Sequence, residues 1–195
     1  MTLPNLPPSA HAQSAPSPWI TRWSHLLPPG CEVLDVACGS GRHLQWFASN
    51  GHAVVGVDRD IAAARVHVPA AQLVEADIEN GPWPFLTPQG PRRFGAVVVT
   101  NYLWRPLLPI LLQSLAPGGL LLYETFAAGN ETVGRPTRPD FLLQRGELLQ
   151  ICSGLQVVAY EDGFLPDPER FVQRVAAFAP ALRAPAVTEV SRHPL

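Results

Sequence analysis

The chain contains no lysine, only three cysteines, and no long run of charged or apolar residues. Its formal net charge is −2, so it lacks the basic surface that is typical of proteins that bind duplex nucleic acid. Cys31, Cys38 and Cys152 are widely spaced and form no CxxC pair, which argues against a disulfide framework or a zinc knuckle. We therefore expect a reducing compartment and a small or neutral partner.

Membrane and export signals are also absent from the sequence. No stretch of about 18 apolar residues occurs, and the N-terminus has no basic segment followed by a long apolar run. These absences predict a cytoplasmic protein that does not contact membranes. Its oligomeric state, monomer or homodimer, stays open at this point.

The chain has 195 residues, of which 47% are apolar, and this suffices for one domain with a buried core. Residues 1–18 are rich in Pro, Ser and Ala and have little to bury, so we predict a disordered tail there. Residues 19–180 are predicted to form the domain, and residues 181–195 a second flexible tail.

Apolar runs and helical patterns alternate through the domain. The predicted strands are Glu32–Val36, Ala53–Asp58, Gln72–Asp77, Phe94–Asn101, Leu120–Glu124, Leu155–Tyr160 and Arg170–Phe178. Alternation with helices implies a parallel sheet covered on both faces by right-handed crossovers. The last two strands are joined by a connection too short for a helix, so they should pair antiparallel. The sequence therefore predicts a three-layer α/β fold of seven strands, mostly parallel with the last strand antiparallel.

Ligands of open α/β sheets bind outside the carboxyl ends of the strands, and the first strand here ends in a glycine turn. Gly39 and Gly41 let the backbone approach a ligand closely, and the following helix N-terminus favours a carboxylate or phosphate. A dinucleotide fingerprint would need a third glycine at position 44, where this chain has Leu44. The turn therefore disfavours NAD.

Acidic residues end the next two predicted strands. Asp58 follows Gly41 by 17 residues and can accept both hydroxyls of a ribose. Asp77 can accept the exocyclic amine of an adenine, and the apolar Ile78 can cover the ring. Together with the glycine turn, these residues predict a nucleoside pocket.

Four segments then resemble the successive motifs of class I S-adenosylmethionine-dependent methyltransferases: Val33–Arg42, Val55–Asp58, Glu75–Ile78 and Pro117–Leu122. The resemblance spans about residues 19–178 and implies a Rossmann-like methyltransferase fold. Ala37 stands where the family usually has its first glycine, a change that is tolerated if φ stays negative. The segment around Gly146 resembles the small tellurite-resistance and thiopurine-type methyltransferases.

The resemblance implies S-adenosyl-L-methionine as methyl donor, S-adenosyl-L-homocysteine as product, and no metal. Transfer would be an in-line displacement onto a small-molecule acceptor, such as a soft chalcogen anion. The positions that match the donor-binding motifs are Asp35, Ala37, Cys38, Gly39, Gly41, Asp58, Arg59, Asp77, Ile78 and Asn101, with Asp35 ordering the loop. The positions expected to face the acceptor as catalytic residues are Asn101, Tyr102, Arg105 and Arg135, the two arginines suiting an anion.

Two other functions stay open at this point. An RNA or protein methyltransferase of the Asn/Asp-Pro-Pro-Tyr/Phe type is disfavoured because the fourth strand ends in Asn101-Tyr-Leu-Trp104, although other signatures exist. The second alternative is a catalytically silent module that binds S-adenosylmethionine. A cysteine at this loop position is common in the family that the motifs resemble, so we interpret Cys38 as a small packing residue. We interpret His43 as solvated or packed, as lone histidines on helices usually are.

Overall fold

The structure is a computed structural model that describes residues 14–181. Its main sheet contains β1 (Glu32–Val36), β2 (Ala53–Asp58), β3 (Gln72–Glu75), β4 (Phe94–Thr100), β5 (Leu115–Phe126), β6 (Gln156–Pro166) and β7 (Glu169–Phe178). The strand order is β3-β2-β1-β4-β5-β7-β6. Strands β1 to β5 run parallel, and β7 runs antiparallel to both β5 and β6. This confirms the predicted seven-stranded α/β fold.

Five α-helices accompany the sheet within residues 14–181: α1 (Pro18–Trp23), α2 (Arg42–Ser49), α3 (Ala62–His67), α4 (Leu108–Gln113) and α5 (Glu147–Ile151). Short 3-10 helices lie at Ser24–Leu26, Arg105–Leu107, Asn130–Thr132 and Pro139–Phe141. In this part of the chain, no helix has the length and apolar character needed to span a bilayer.

Alternate side chains of the sheet enter two apolar layers, because successive residues of a strand point to opposite faces. One layer packs Val33, Val54, Val98 and Leu122 against residues of α1, α2 and α3. The other packs Leu34, Val55, Val97, Val99 and Leu121 against residues of α4 and α5 and against Trp83 and Phe85. The central strands are therefore buried on both faces, as their continuous apolar sequences predict.

Several boundaries differ from those predicted. Strand β5 already begins at Leu115, because Gly118 adopts a φ of +73° and the Pro117-Gly-Gly119 turn forms a bulge inside the strand. The third strand ends at Glu75, two residues early. Between β3 and β4 a small hairpin pairs Leu86–Thr87 with Gly90–Pro91. These differences leave the strand order unchanged.

The predicted N-terminal tail, residues 1–18, needs a correction at its end. Helix α1 begins at Pro18, and the buried Ser17 caps it by accepting a hydrogen bond from the Trp19 amide at 3.1 Å. The ordered domain therefore starts before residue 19. The rest of that tail up to residue 13, and residues 182–195 of the second tail, lie outside the described residues.

Candidate functional site

The glycine turn between β1 and α2 is held by backbone hydrogen bonds. The Cys38 amide donates to the Val57 carbonyl at 3.1 Å, and the Gly41 amide donates to the Cys38 carbonyl at 2.9 Å. Gly39 and Gly41 have φ values of +53° and +81°, which explains why glycine is needed at both. Ala37 also has a positive φ, of +54°. The expectation of a negative φ at Ala37 is therefore wrong, since the turn requires the left-handed conformation there.

Close packing of this turn on β2 explains a further glycine. A Cβ atom at Gly56 would lie 2.9 Å from the Cys38 sulfur and 2.7 Å from the Leu44 Cδ1 atom. The Cys38 side chain is buried in this contact, and burial raises the pKa of its thiol. A buried thiol with a raised pKa is a packing group and not a nucleophile.

Asp58, at the end of β2, anchors the turn. Its Oδ2 atom accepts from the Gly39 amide at 2.8 Å, and its Oδ1 atom accepts from the Asp60 amide at 3.1 Å. A carboxylate offers about four acceptor positions, so two of them stay available for other donors. The sequence pattern predicted a ligand contact for Asp58, and the structure adds this anchoring contact.

A cavity of about 360 Å³ opens beside these strand ends. It is lined by Ala37, Asp58, Arg59, Ala76, Asp77, Ile78, Glu79, Asn80 and Tyr102. Six of these nine residues are predicted site residues, drawn from four different strand ends. Ala76, Glu79 and Asn80 were missed, because the sequence around them carries only an ordinary turn signal.

The Asp77 carboxylate is preorganised by that turn. Its Oδ1 atom accepts from the amides of Glu79 and Asn80, and its Oδ2 atom accepts from the Asn80 side chain at 2.9 Å. The hydrogen bond from the Asn80 side chain, followed by the two backbone bonds, lowers the pKa of Asp77 below its usual range. Asp77 is therefore an ionised acceptor that points into the cavity beside the buried Ile78.

Asp35 lies beneath the glycine turn and is only 1% exposed. Neither of its carboxylate oxygens has a hydrogen-bond partner among the described residues. The expectation that Asp35 orders the loop is therefore not met, because the amide of Gly39 is satisfied by Asp58 instead. Burial raises the pKa of Asp35 to about 8, with the Arg42 charge partly opposing this.

His43, on the first turn of α2, lies against this carboxyl group. Its Nδ1 atom is 3.9 Å from an Asp35 oxygen and 3.4 Å from the Thr100 hydroxyl. Its Nε2 atom accepts from the Ser17 amide at 3.1 Å, so the neutral ring carries its proton on Nδ1. Burial lowers the pKa of His43 to about 3. His43 is thus packed and neutral, and it ties the N-terminal segment to the glycine turn.

Glu124, near the end of β5, is also buried and fully engaged. It accepts from the Ser17 hydroxyl at 3.0 Å and from the Arg174 guanidinium at 3.2 Å. The Arg170 guanidinium lies 3.9 Å from Oε1, the Glu124 oxygen that accepts from Ser17. Glu124 therefore serves as a buried ion-pair partner and not as a general base.

The segment after β4 places Asn101 and Tyr102 at the same edge. The Asn101 amide donates to the Glu124 carbonyl at 2.9 Å, and Asn101 has a φ of +54° with its side chain exposed. The buried Tyr123 hydroxyl donates to the Tyr102 carbonyl at 2.8 Å and so fixes this segment. The Tyr102 hydroxyl is buried, makes no hydrogen bond of normal geometry within residues 14–181, and has a pKa that burial and then the Glu79 charge raise.

A second cavity of about 260 Å³ adjoins the first at Glu79 and Tyr102. It is lined by Glu79, Asn101, Tyr102, Leu103, Thr125, Phe126, Pro136 and Phe141. Asn101 and Tyr102 were predicted for an acceptor site, whereas the apolar walls were missed. They come from β5 and from the following loop, whose path cannot be read from its sequence.

The two arginines predicted to face the acceptor lie elsewhere. Arg105 forms a two-pronged ion pair with Glu147 at 2.7 and 2.9 Å, and it also donates to the carbonyls of Asp140 and Leu142. Its donors are therefore used to hold the loop. Arg135 is exposed, and its side chain lines neither cavity. The structure does not bring these two residues to the site.

Among residues 14–181, no group of three or more His, Cys, Asp or Glu side chains could hold a metal ion.

Comparison with known proteins places this geometry in a family. The sequence profile of the methyltransferase domain family matches residues 9–153, which is most of the chain. The chain belongs to the methyltransferase domain family. The uncharacterized methyltransferase sll0829 of Synechocystis is 32% identical to this methyltransferase domain over 95 residues, which cover 47% of this chain and 42% of that protein.

Solved structures share the fold of this methyltransferase domain. TehB from Haemophilus influenzae superposes with a TM-score of 0.69 at 18% identity, covering 87% of this chain and 64% of TehB. A TehB-like S-adenosylmethionine-dependent methyltransferase from Corynebacterium glutamicum gives a TM-score of 0.60 at 22% identity, covering 83% of this chain and 86% of that one. The chain thus spans less than half of the Synechocystis relative and about two thirds of TehB. At these identities the structures show the fold alone.

Proposed function

We propose that this protein transfers a methyl group from S-adenosyl-L-methionine to a small-molecule acceptor. The observation that carries the proposal is the cavity at the ends of β1, β2 and β3, where the glycine turn, Asp58 and the Asp77-Ile78 pair meet. Family membership supports the donor, and the adjoining small cavity supports a small acceptor.

The residues of the cavity fit the parts of the donor. Asp58 suits the two ribose hydroxyls, and Asp77 with Ile78 suits the adenine amine and ring face. The methionine portion fits the glycine turn, where neither oxygen of the buried Asp35 carboxyl group has a hydrogen-bond partner within residues 14–181. An ammonium group would satisfy these atoms, because buried polar groups without hydrogen bonds are costly.

The charge of the cavity also suits a cationic donor. Its lining contains the carboxylates of Asp58, Asp77 and Glu79 and a single basic side chain, that of Arg59. When bound, the donor supplies an electrophilic methyl group on a positively charged sulfur. The chain's contribution is alignment and exclusion of water. Tyr102, whose carbonyl is held by Tyr123, borders both cavities, and Asn101, whose amide is held by Glu124, borders the second.

Calorimetry with S-adenosylhomocysteine tests the donor site. We expect micromolar binding by the wild-type protein and at least about 30-fold weaker binding by Asp58→Ala, because two charged hydrogen bonds to the ribose are lost. Glu75→Ala is the matched control, since Glu75 pairs with Asp58 in the sheet register, is exposed and lines neither cavity. Absence of wild-type binding at millimolar ligand, or equal binding by Asp58→Ala, would contradict the proposal.

An assay of methyl transfer distinguishes the proposed small-molecule enzyme from an RNA or protein methyltransferase and from a silent binding module. Labelled donor is incubated with the protein and with three fractions of a cell extract, namely small metabolites, total RNA and protein. The proposal expects label in the metabolite fraction. Label in RNA or protein would replace the small-molecule acceptor, and tight donor binding with no labelled fraction would favour the silent module.

A further inference from the structure

The second cavity, which we call the acceptor cavity (Glu79, Asn101, Tyr102, Leu103, Thr125, Phe126, Pro136 and Phe141), has walls of defined chemistry. We propose that it takes a small, mainly apolar molecule whose nucleophile is an uncharged ring or aryl nitrogen, and not an anion. This inference rests on the proposed methyl transfer and adds to it the class of acceptor.

Size and apolar character set the first limit. Leu103, Phe126, Pro136 and Phe141 are four of the eight lining residues, and the cavity measures about 260 Å³. An apolar cavity of about 150 Å³ is known to hold a benzene ring. The acceptor cavity therefore has room for one ring with a short substituent, and a nucleic acid base with its sugar would exceed it.

Charge sets the second limit. Among the lining residues of the acceptor cavity none is basic, and Glu79 contributes a carboxylate. Of the two arginines predicted for the acceptor, Arg105 is paired with Glu147, and Arg135 is exposed and not among the lining residues. An anionic acceptor would find no basic side chain among the lining residues and would lie beside Glu79. The lining therefore disfavours the anionic, arginine-bound acceptor that the sequence predicted.

The proposed reaction moves positive charge toward Glu79. The nitrogen lone pair forms a bond to the methyl carbon, the carbon–sulfur bond breaks, and its electron pair stays on sulfur, which becomes an uncharged thioether. The positive charge passes to the methylated nitrogen, which keeps it in a pyridinium-type product or loses a proton to water in an aryl amine. A carboxylate at the acceptor end stabilises the charge that develops there.

One polar group of the cavity is the buried Tyr102 hydroxyl, which lies beside Glu79. Because burial and the Glu79 charge raise its pKa, it stays protonated and can contact the ring substituent or hold a water against it. A few polar groups beside apolar walls are typical of small-molecule sites.

Three matched probes test the charge preference on protein saturated with S-adenosylhomocysteine: 1,3-dimethylpyridinium, 3-methylpyridine and pyridine-3-carboxylate. Their affinities are measured by ligand-observed NMR titration up to about 10 mM. We expect the pyridinium to bind at least as well as 3-methylpyridine, and the carboxylate at least about tenfold more weakly. Carboxylate binding equal to that of 3-methylpyridine, or no binding by any probe, would overturn the inference.

Two variants test whether the probes bind in the acceptor cavity. Glu79→Gln should weaken pyridinium binding about three- to tenfold and leave 3-methylpyridine within about twofold, whereas the exposed control Glu75→Gln should change neither. Phe141→Ala should weaken the binding of both ring probes, and Phe164→Ala, on β6 and not among the lining residues, should not. Unchanged probe binding in both Glu79→Gln and Phe141→Ala overturns the inference. Because binding of S-adenosylhomocysteine is measured first, failure of the donor site is recognised separately.

Discussion

Within residues 14–181, two residues other than glycine adopt left-handed backbone conformations, and both lie at the candidate site. Ala37 and Asn101 each have a φ of +54°, at the ends of the neighbouring strands β1 and β4. This conformation costs an alanine about 1–2 kcal/mol. Hydrogen bonds adjacent to each residue, from the Cys38 amide to β2 and from the Asn101 amide to β5, hold the backbone in place. The strain thus marks the edge at which we place the donor.

Replacing Ala37 with glycine should relieve this strain. We expect Ala37→Gly to raise the free energy of unfolding by about 1 kcal/mol, because glycine adopts a positive φ without steric cost. Ala76→Gly is the control, since Ala76 lines the same cavity but is not among the residues with positive φ. It should lower stability by up to about 1 kcal/mol. Urea denaturation measures both, and a destabilised Ala37→Gly would contradict the strain.

At the scale of secondary structure elements, Arg105 connects the segment before α4 with the loop before α5. Its guanidinium binds the Glu147 carboxylate and the carbonyls of Asp140 and Leu142. The 3-10 helix Pro139–Phe141, which carries one wall of the acceptor cavity, is therefore fixed to the main domain. Glu147 is only 18% exposed, so the pair is more than a surface contact.

Loss of this connection should loosen one wall of the acceptor cavity. We expect Arg105→Ala to lower the free energy of unfolding by about 1–2 kcal/mol, because charged hydrogen bonds are lost and Glu147 loses its partner. Hydrogen exchange should accelerate in residues 138–147, with binding of S-adenosylhomocysteine unchanged. Arg135→Ala is the control, because Arg135 lies in the loop that Arg105 holds but is exposed. It should change the free energy of unfolding by less than about 0.5 kcal/mol. Equal effects of the two variants would contradict the structural role of Arg105.

The elements also show what the sequence could predict. Strands β1 and β2 were predicted residue for residue, because apolar runs ending in a glycine turn or an aspartate define them. Asp58, Asp77 and Ile78 were placed at one cavity because parallel strands end at the same edge of a sheet. The role of Arg105 was misjudged, and Phe141 was missed. Both depend on the path of a loop that has no periodic signal, and the ion pair of Arg105 with this loop spans 42 residues of sequence.

At the scale of the whole molecule, a network of buried polar side chains runs across the carboxyl edge of the sheet. It passes from Asp35 through His43 to Ser17, and from Ser17 to Glu124 and Arg174. The Arg174 guanidinium also lies 4.8 Å from the centre of the Trp19 ring, so α1 is tied to β7. The segment before α1 is therefore part of the site's support, which explains why the ordered domain begins before residue 19.

This network of buried polar side chains predicts how the stability of the protein depends on pH. Burial raises the pKa of folded Asp35 to about 8, so between about pH 4 and pH 8 the folded protein keeps a proton that the unfolded chain has lost. Stability should therefore fall as the pH rises through this range. His43 acts in the opposite sense: its folded pKa of about 3 makes stability rise with pH up to about 6.5, where the unfolded side chain has lost its proton.

The Asp35→Asn variant isolates the first effect, since His43 is present in both proteins and its contribution cancels in their difference. The uncharged amide has no proton to lose. The free energy of unfolding of the variant, relative to that of the wild type, should therefore increase by up to about 1.4 kcal/mol per pH unit between pH 5 and pH 8. Urea unfolding of both proteins at pH 5, 6, 7 and 8, without donor, gives this difference directly. A stability gap that is constant over this range would mean that folded Asp35 is ionised already at pH 5. The partner that the carboxylate would then need is the protonated His43 ring at 3.9 Å.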